Sequence, residues 1–355
     1  MEKKLIVLLS AGGTGGHIIP ACQLAKNLLK REKVKKVVFA AKGLKNNRSF
    51  QDSFPYKEIA AASLKNKMRF FFAFLKGFFQ GLFFILKLNP SVVVGFGSFH
   101  SFPILAAAKI LNKKIVLFEP NTSLGKVNRF FAPLVKTVAI QFPLEDKINN
   151  AKFIHPLSWP ETPILDKKTA RKKLNVKEDV LLALVFGGSQ GASFINSLCF
   201  EAFSKLLLPI QVINITGSDE ETAIWSEKYK KNNITAIVKT FERGLDNFYA
   251  AADFAVCRCG AATSAELIFF NMPSIVIPYP YATENHQEKN GYFLEKEVRG
   301  SFVVLQNVAY DVFMNKLLQL MENLPKYREN IIRYKNNKKK EEDFADLIIK
   351  EGEKK

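Results

Sequence analysis

The sequence predicts an α/β protein made of two doubly wound halves. In each half, short runs of Val, Ile, Leu and Phe are followed by a glycine-rich turn and the start of a helix, as at 4–20 and 180–205. Apolar runs without polar alternation are typical of parallel strands covered on both faces. We therefore expect two domains of similar plan, at residues 1–160 and 161–355.

The positive charge of the chain is concentrated in its first half. Residues 1–160 contain 25 Lys and Arg against 7 Asp and Glu, whereas residues 161–355 contain 27 against 26. The length of 355 residues is enough for two cores. A basic domain beside a neutral one indicates that one domain contacts an anionic surface, either acidic lipid or nucleic acid. A lysine-biased genome is the alternative, but it does not explain the asymmetry.

The cysteines give little indication of a metal or redox site. Four are present, Cys22, Cys199, Cys257 and Cys259, and only the last two are close in sequence. A single Cys-x-Cys pair is a weak metal signal, so we expect reduced thiols and no metal.

The apolar run 5–9 is too short for the core of a signal peptide, and we expect no signal peptide.

The stretch 253–266 predicts a strand, a tight turn and a helix. Helical spacing begins near Ala261 or Ala262, after a cluster of small residues. The N–H groups of such a helix start suit a phosphate, and Glu266 lies about one turn deeper, where a carboxylate suits ribose hydroxyls. This arrangement predicts a nucleotide site. The alternative is an ordinary strand–helix–strand unit in which Glu266 is solvated.

Two further segments of the second half have the character of ligand sites. Residues 272–278 predict a buried parallel strand, and the polar run 284–287 follows its carboxyl end, where open α/β sheets bind ligands. The loop 187–192, which contains Ser189 and Gln190, opens a helix and predicts a second anion site rich in main-chain amides.

In the first half, glycines surround Thr14 in the loop 12–17, so that a large ligand can approach the backbone. A dinucleotide fingerprint fails here, because Ile18 stands where glycine is required and Lys42, not an acid, follows the next strand. We therefore do not expect this loop to bind NAD. For the protein as a whole we expect no cofactor. His17 lies at the top of the predicted sheet, where it is either a general base or a capping residue.

Glu119 and Asn121 lie at the carboxyl end of another predicted strand, residues 113–119. Polar groups at such strand ends are candidates for a site. The alternative is that Asn121 caps the following segment and that Glu119 is solvated.

Residues 67–88 predict a helix of unusual composition. Arg69, Lys76, Gln80 and Lys87 fall in one stripe of about 40°, and the remaining surface is almost entirely apolar. Lys76 in the middle disfavours a transmembrane span. We expect partial insertion into an anionic membrane surface, with burial against the sheet as the alternative. Nucleic-acid binding is disfavoured, because the aromatic residues are massed in this helix and not interleaved with basic ones.

These motifs together resemble those of the MurG family of glycosyltransferases. The resemblance runs from Gly12 to about Gly291 and rests on the segments 12–17, 95–103, 119–121, 187–191, 258–266 and 286–290. It implies the GT-B fold, in which two Rossmann-like domains face each other across a cleft, with the last helix packing back on the N-terminal domain. It also implies transfer of N-acetylglucosamine from UDP-GlcNAc to the muramyl 4-hydroxyl of lipid I, which forms lipid II for peptidoglycan synthesis at the cytoplasmic face of the membrane.

The resemblance implies roles for the site residues. Ser189 and Gln190 would contact the diphosphate, Ala261, Ala262, Thr263 and Glu266 the nucleoside, and Gln287 the sugar, while Thr14, Gly15, Gly16 and Asn121 would close the cleft from the other domain. The family reaction inverts the anomeric centre without a metal, and this sequence has no Asp-x-Asp element. We expect in-line attack with His17, or as second choice Glu119, as the base.

Several positions depart from the family pattern. Ser158 stands where the family usually has an arginine near the diphosphate, so that Lys126 or another base would have to replace it. Ser98 and Phe99 replace a Gly-Tyr pair, and Cys259 replaces a serine. The sequence leaves two other functions open: a GT-B transferase acting on another membrane lipid such as diacylglycerol, and an impaired membrane-associated protein that binds a UDP-sugar without turnover.

Overall fold

The computed structural model describes residues 4–13, 15–47, 50, 54–62, 67–157, 164–188, 191–242, 244–337 and 341–354. The chain divides into two compact units, one comprising residues 1–158 and 339–355 and the other residues 159–338. Each unit is a parallel sheet with helices on its faces, as the apolar runs predict.

Strands and helices alternate along most of the first unit. They are β1 (Leu5–Ser10), α1 (Gly15–Leu29), β2 (Val34–Ala41), β3 (Tyr56–Glu58), α2 (Lys67–Leu88), β4 (Val92–Gly95), α3 (Phe102–Ile110), β5 (Ile115–Glu119), α4 (Lys126–Phe131), β6 (Thr137–Ile140) and β7 (Ala151–Phe153).

The first sheet has the strand order β3-β2-β1-β4-β5-β6-β7, with every pairing parallel. Successive side chains of β1 point to opposite faces: Val7 and Leu9 enter one core cluster and Leu8 the other. The chain order reverses between β1 and β4. Open α/β sheets form a ligand crevice at such a reversal, outside the carboxyl ends of the strands.

The second unit repeats this plan. Its elements are α5 (Lys167–Leu174), β8 (Leu181–Phe186), α6 (Ser193–Ser204), β9 (Ile210–Ile215), α7 (Asp219–Lys231), β10 (Thr235–Lys239), α8 (Asp246–Ala251), β11 (Phe254–Cys257), α9 (Ala261–Phe269), β12 (Ser274–Val276), α10 (His286–Phe293), β13 (Ser301–Val303), α11 (Tyr310–Glu322) and α12 (Leu324–Asn336). The parallel strand order is β10-β9-β8-β11-β12-β13, with the reversal between β8 and β11.

The last helix, α13 (Phe344–Glu353), packs on the first unit. Phe344 and Ile348 join the same core cluster as Val7. Just before the helix, Glu342 pairs in parallel with Ile154 beside β7. The charged run 338–343 predicts a solvated helix junction, which is wrong for Glu342, because its main-chain N–H and C=O bond to Phe153 and His155.

Helix α2 has the bounds that its composition predicts. On its buried side, Gly77 lies so close to the preceding segment that a Cβ atom there would stand 1.9 Å from the carbonyl oxygen of Ala60. Gln80 Oε1 accepts the N–H of Ala60 at 2.9 Å. Phe79 and Phe83 are exposed, the latter to 74%. Helix α2 is therefore attached to the unit along one face and presents an apolar face outwards.

Candidate active site

Three loops gather at the carboxyl edge of the first sheet, because they follow the adjacent strands β1, β4 and β5. They carry the residues that the sequence predicts as site candidates in the first half. The described residues of these loops contact one another in two places.

The first contact joins the glycine turn after β1 to the turn after β4. A Cβ atom at Gly12 would lie 2.8 Å from His100 Cβ, and one at Gly13 would lie 3.0 Å from His100 Nδ1. Gly13 has a φ of +92°, and its carbonyl accepts a hydrogen bond from Asn47 Nδ2 at 2.8 Å. Only glycine permits this close approach.

Helix α1 begins directly after this turn. Gly15, Gly16 and His17 form its first turn, and His17 is half-buried. The first N–H groups of a helix have no partner inside the helix, so this is a place where anionic groups bind. Thr14, a predicted contact, lies outside the described residues.

Glu119 ends β5 and is 2% exposed. Its Oε1 accepts hydrogen bonds from Asn121 N at 3.2 Å and Asn121 Nδ2 at 3.0 Å. Its Oε2 accepts from Gly125 N and Asn128 Nδ2, both at 2.9 Å. Burial raises the pKa of Glu119, and these hydrogen bonds oppose the shift. The two carboxylate oxygens thus accept four hydrogen bonds, and these hold the loop that carries Asn121.

The second contact runs through Asn128, a fully buried residue of α4. Its Nδ2 also donates to Phe118 O at 2.9 Å, and a Cβ atom at Gly97, where φ is +79°, would lie 2.9 Å from the same Nδ2. The structure thereby brings Gly97, Glu119 and Asn121 together. Neither Asn128 nor His100 is predicted from the sequence. The signal for Asn128 is a polar residue at a core-facing position of α4, between Val127 and Phe131.

In the second unit, the loops after β8, β11 and β12 lie at the corresponding edge of the sheet. Gly191 has a φ of +69°, and a Cβ atom there would stand 2.0 Å from the carbonyl oxygen of Thr216. This contact fixes the loop just before α6. Ser189 and Gln190, the predicted diphosphate contacts, lie outside the described residues.

Helix α9 begins at Ala261, as the sequence predicts, after Gly260, which has no side chain to cap it. Ala261, Ala262 and Thr263 form the first turn, and Ala262 is exposed. The structure therefore offers a helix start of the kind that accepts a negatively charged group.

Glu266 lies further along α9 and is half-buried, not solvated. Tyr249 Oη donates a hydrogen bond to its Oε2 at 3.0 Å. Burial raises the pKa of Glu266 to about 7; the hydrogen bond from Tyr249 lowers it and the charge of Asp246 raises it. This carboxyl group therefore titrates near neutral pH, which is common at functional sites.

Gln287 lies in the first turn of α10, and its Oε1 accepts the N–H of Tyr279 at 3.0 Å. Its carbonyl accepts a hydrogen bond from Cys259 Sγ at 3.0 Å, and Asn290 Nδ2 donates to Cys259 O at 3.2 Å. These bonds join the turn 258–260 to α10. The structure thus brings Gln287 close to the segment that precedes α9.

Within the described ranges, no three His, Cys, Asp or Glu side chains are grouped as metal ligands. Ser158, where the family arginine is missing, lies outside those ranges, and Lys126 is an exposed residue at the start of α4.

Both domains of glycosyltransferase family 28 match the chain. The family's N-terminal domain matches residues 7–140, and its C-terminal domain matches residues 182–348. The matched ranges fall on the two units seen in the structure, with the second range extending into α13.

Relatives with a curated name are similar along nearly the whole chain. A UDP-N-acetylglucosamine–N-acetylmuramyl-(pentapeptide) pyrophosphoryl-undecaprenol N-acetylglucosamine transferase of Protochlamydia amoebophila (strain UWE25) is 38% identical over 332 residues, covering 90% of this chain and 88% of the relative. A protein of the same name from Wolbachia pipientis wMel is 32% identical over 328 residues, covering 91% and 92%.

Solved structures agree on the fold. Acinetobacter baumannii MurG matches with a TM-score of 0.78 at 23% identity, over 98% of this chain and 99% of that one. Os79 from O. sativa, in complex with UDP, matches with a TM-score of 0.69 at 12% identity, over 97% and 98%. The two parallel-sheet units therefore have the GT-B fold, and the chain belongs to the MurG family within glycosyltransferase family 28.

Proposed function

We propose that this chain transfers N-acetylglucosamine from UDP-GlcNAc to the muramyl 4-hydroxyl of lipid I, forming lipid II for peptidoglycan synthesis. The observation that carries the proposal is the similarity to relatives named for this transfer, which extends over both units. The loops at the carboxyl edges of the two sheets supply the groups that the reaction needs.

The second unit is proposed to hold the donor. The diphosphate lies at the first turns of α6 and α9, with Ser189 and Gln190, because helix N-termini favour negative charge. Ala261, Ala262 and Thr263 contact the nucleoside, and the Glu266 carboxylate accepts hydrogen bonds from the ribose hydroxyls. Gln287 Nε2 donates to a sugar hydroxyl, since the Oε1 of that residue already accepts from Tyr279. The same helix starts stabilise the charge that develops on UDP as it leaves.

The first unit is proposed to supply the acceptor side. Thr14, Gly15, Gly16 and Asn121 complete the site, and His17 takes the proton of the muramyl 4-hydroxyl. The hydroxyl oxygen forms a bond to the anomeric carbon in line with the bond to UDP that breaks, so the anomeric centre inverts without a metal. Glu119 is a positioning residue for Asn121, because its oxygens already accept four hydrogen bonds.

Transfer of radiolabelled N-acetylglucosamine to lipid I in detergent micelles tests this function. We expect chelator-resistant formation of a β-linked product from the α-linked donor, with diacylglycerol failing to compete. His17→Ala is expected to lower kcat by about 100-fold or more through loss of the base. His155→Ala, which changes a histidine paired with Glu341, is the matched control and retains activity.

Other outcomes of this assay have defined meanings. Labelled diacylglycerol in place of lipid II identifies a transferase for another membrane lipid. Folded protein that binds UDP-GlcNAc but labels neither acceptor is an impaired UDP-sugar-binding protein. A normal kcat in His17→Ala removes His17 from the role of base.

We expect Glu119→Ala to lower the free energy of unfolding by about 3 kcal/mol or more, because four N–H donors lose a buried carboxylate acceptor. Glu58→Ala is the control: this exposed glutamate also accepts two main-chain N–H groups, from Gly43 and Lys45, and its loss is expected to cost less than about 1 kcal/mol. Urea unfolding measures both. A Glu119→Ala protein of normal stability but with kcat lowered about 100-fold would instead indicate a chemical role.

The affinity for UDP-GlcNAc is expected to rise about tenfold between pH 6 and pH 8. The pKa of Glu266 is about 7, so the carboxylate that accepts from ribose is lost as the pH falls through that value. UDP-GlcNAc is the right probe, because it lacks the terminal phosphate of UDP, which titrates near pH 6. Calorimetric titration measures the affinity.

Two variants serve as controls. Glu266→Gln is expected to bind UDP-GlcNAc more weakly and with no pH dependence. Asp246→Asn is expected to shift the midpoint of the affinity to lower pH, since the Asp246 charge raises the pKa of Glu266. A Glu266→Gln protein with unchanged affinity would contradict the ribose contact.

We also propose that the first unit attaches peripherally to the cytoplasmic face of the membrane through α2. Among the described residues, Met68–Leu88 is the one helix long and apolar enough to cross a membrane, and only 17% of its most apolar window is buried. Its exposed apolar residues are Met68, Phe71, Phe72, Phe79, Phe83 and Leu86. The exposed cations Arg69, Lys76 and Lys87 lie along one edge of this face. An apolar face bordered by cations is typical of a helix lying in the interface of an anionic bilayer.

Co-sedimentation with phosphatidylglycerol vesicles tests this attachment. We expect Phe79→Ser with Phe83→Ser to weaken binding about tenfold or more, because two exposed rings no longer enter the bilayer. Lys76→Gln is expected to weaken it about fivefold at low salt and less at high salt. Leu207→Ser with Leu208→Ser, which removes two exposed apolar residues of the second unit, is the control and leaves binding unchanged. Equal binding by both double variants would exclude α2 as the attachment site.

A further inference from the structure

The glycine turn that precedes α1 rests on the side chain of His100. The positions that Cβ atoms would occupy at Gly12 and Gly13 are taken up by His100 Cβ at 2.8 Å and His100 Nδ1 at 3.0 Å. The ring atom Cε1 lies 3.3 Å from the position at Gly13. The imidazole is therefore in direct contact with the backbone that leads, four residues later, to His17.

Ser98 fixes this imidazole. Ser98 Oγ lies 2.9 Å from His100 Nδ1 and accepts the N–H of His100 at 3.1 Å. Ser98 is itself buried, and its carbonyl accepts a hydrogen bond from Ser101 Oγ at 2.6 Å. Ser98 Oγ accepts the main-chain N–H and keeps its own proton to donate to Nδ1, an arrangement in which the ring proton lies on Nε2.

The surroundings of His100 favour its neutral form. The ring is half-buried, and both this burial and the nearby charge of Lys42 lower its pKa. Lys42 Nζ donates to Ala61 O at 2.8 Å, which holds that charge in place. Of the described residues that follow β2, Glu58 is also charged and accepts from the N–H groups of Gly43 and Lys45, and Lys45 carries a charge of its own. His17, in the first turn of α1, is a further titratable residue beyond the Gly12–Gly13 turn.

We propose that His100 is a positioning residue for transfer: its neutral imidazole, oriented by Ser98, supports the Gly12–Gly13 turn and so sets the start of α1 that carries His17. The catalytic consequence rests on the proposed function. The contacts themselves do not. Protonation would put a proton on Nδ1, displace the Ser98 hydroxyl proton from its bond and place a second cation beside Lys42.

The test compares three substitutions at this position. His100→Asn keeps an acceptor, Oδ1, near the place of Nδ1 but cannot titrate, whereas His100→Leu fills the space without an acceptor and His100→Ala does neither. We expect kcat to fall about tenfold or more in His100→Ala and His100→Leu and to stay within about threefold in His100→Asn. Affinity for UDP-GlcNAc stays unchanged in all three, because its proposed binding residues are in the other unit.

The pH profile separates positioning from simple packing. In the unsubstituted protein, both His17 and His100 must be neutral, so log kcat, measured at saturating UDP-GlcNAc to leave out the ionisation of Glu266, is expected to fall with a slope approaching two at acid pH. The His100 contribution sets in below pH 6.5, because its pKa is lowered. His100→Asn removes this contribution and leaves a slope of one.

Hydrogen–deuterium exchange over residues 8–18 gives a readout that needs no activity. Faster exchange in His100→Ala and His100→Leu, with slow exchange restored in His100→Asn, supports the positioning role even if no acceptor is glycosylated. Equal activity and exchange in His100→Leu and the unsubstituted protein would reduce His100 to a packing residue. A His100→Asn protein whose kcat is lowered as much as that of His100→Ala would also reduce His100 to a packing residue. Absence of transfer in every variant, with the exchange pattern as expected, contradicts the proposed function and not this contact.

Discussion

The reversal of chain order in the middle of each sheet is the constraint on which the candidate site residues of each unit depend. Parallel strands bring all their carboxyl ends to one edge, and at β1/β4 and at β8/β11 the connections leave towards opposite faces. The loops that follow these strands therefore border a crevice. Glycine at positions 13, 97 and 191 lets the backbone enter it with positive φ and with close contact to neighbouring loops.

Two glutamates at these edges show how surroundings divide one residue type into two kinds of behaviour. Glu119 is enclosed by four N–H donors, which leaves it little capacity for another partner. Glu266 accepts a hydrogen bond from the hydroxyl of Tyr249, and the pKa of Glu266 is about 7. A carboxylate with acceptor capacity left suits a ligand with hydroxyl groups. A carboxylate that is already saturated suits the task of holding a loop.

The sequence predicts those parts of the fold and the site that local pattern determines. The central strands, the start of α9 at Ala261 and the whole of α2 follow from apolar runs and small-residue turns. Strands β3, β7 and β13 have too little pattern to be predicted, whereas β12, also of three residues, lies within the predicted apolar run 272–278. The role of His100 is not predicted, because its contacts Gly12 and Gly13 lie far from it in the sequence. The pairing of Glu342 is not predicted either, because its partner Ile154 is also distant in the sequence. The roles of Thr14, Ser189 and Gln190 stay predictions.

Helix α13 completes the core of the first unit beneath the strand ends that carry Gly97 and Glu119. Phe344 of α13 packs on Phe118, with ring centroids 5.4 Å apart, and Phe118 packs on Phe96 at 5.3 Å. Phe118 immediately precedes Glu119, and Phe96 immediately precedes Gly97. Glu351 has a pKa of about 2, because its bonds to Lys152 and Lys354 outweigh its burial, so this attachment stays ionised at neutral pH. Because the core under these strand ends includes residues that lie before and after the second unit in the sequence, the first unit reaches its full packing only after the second has been synthesised.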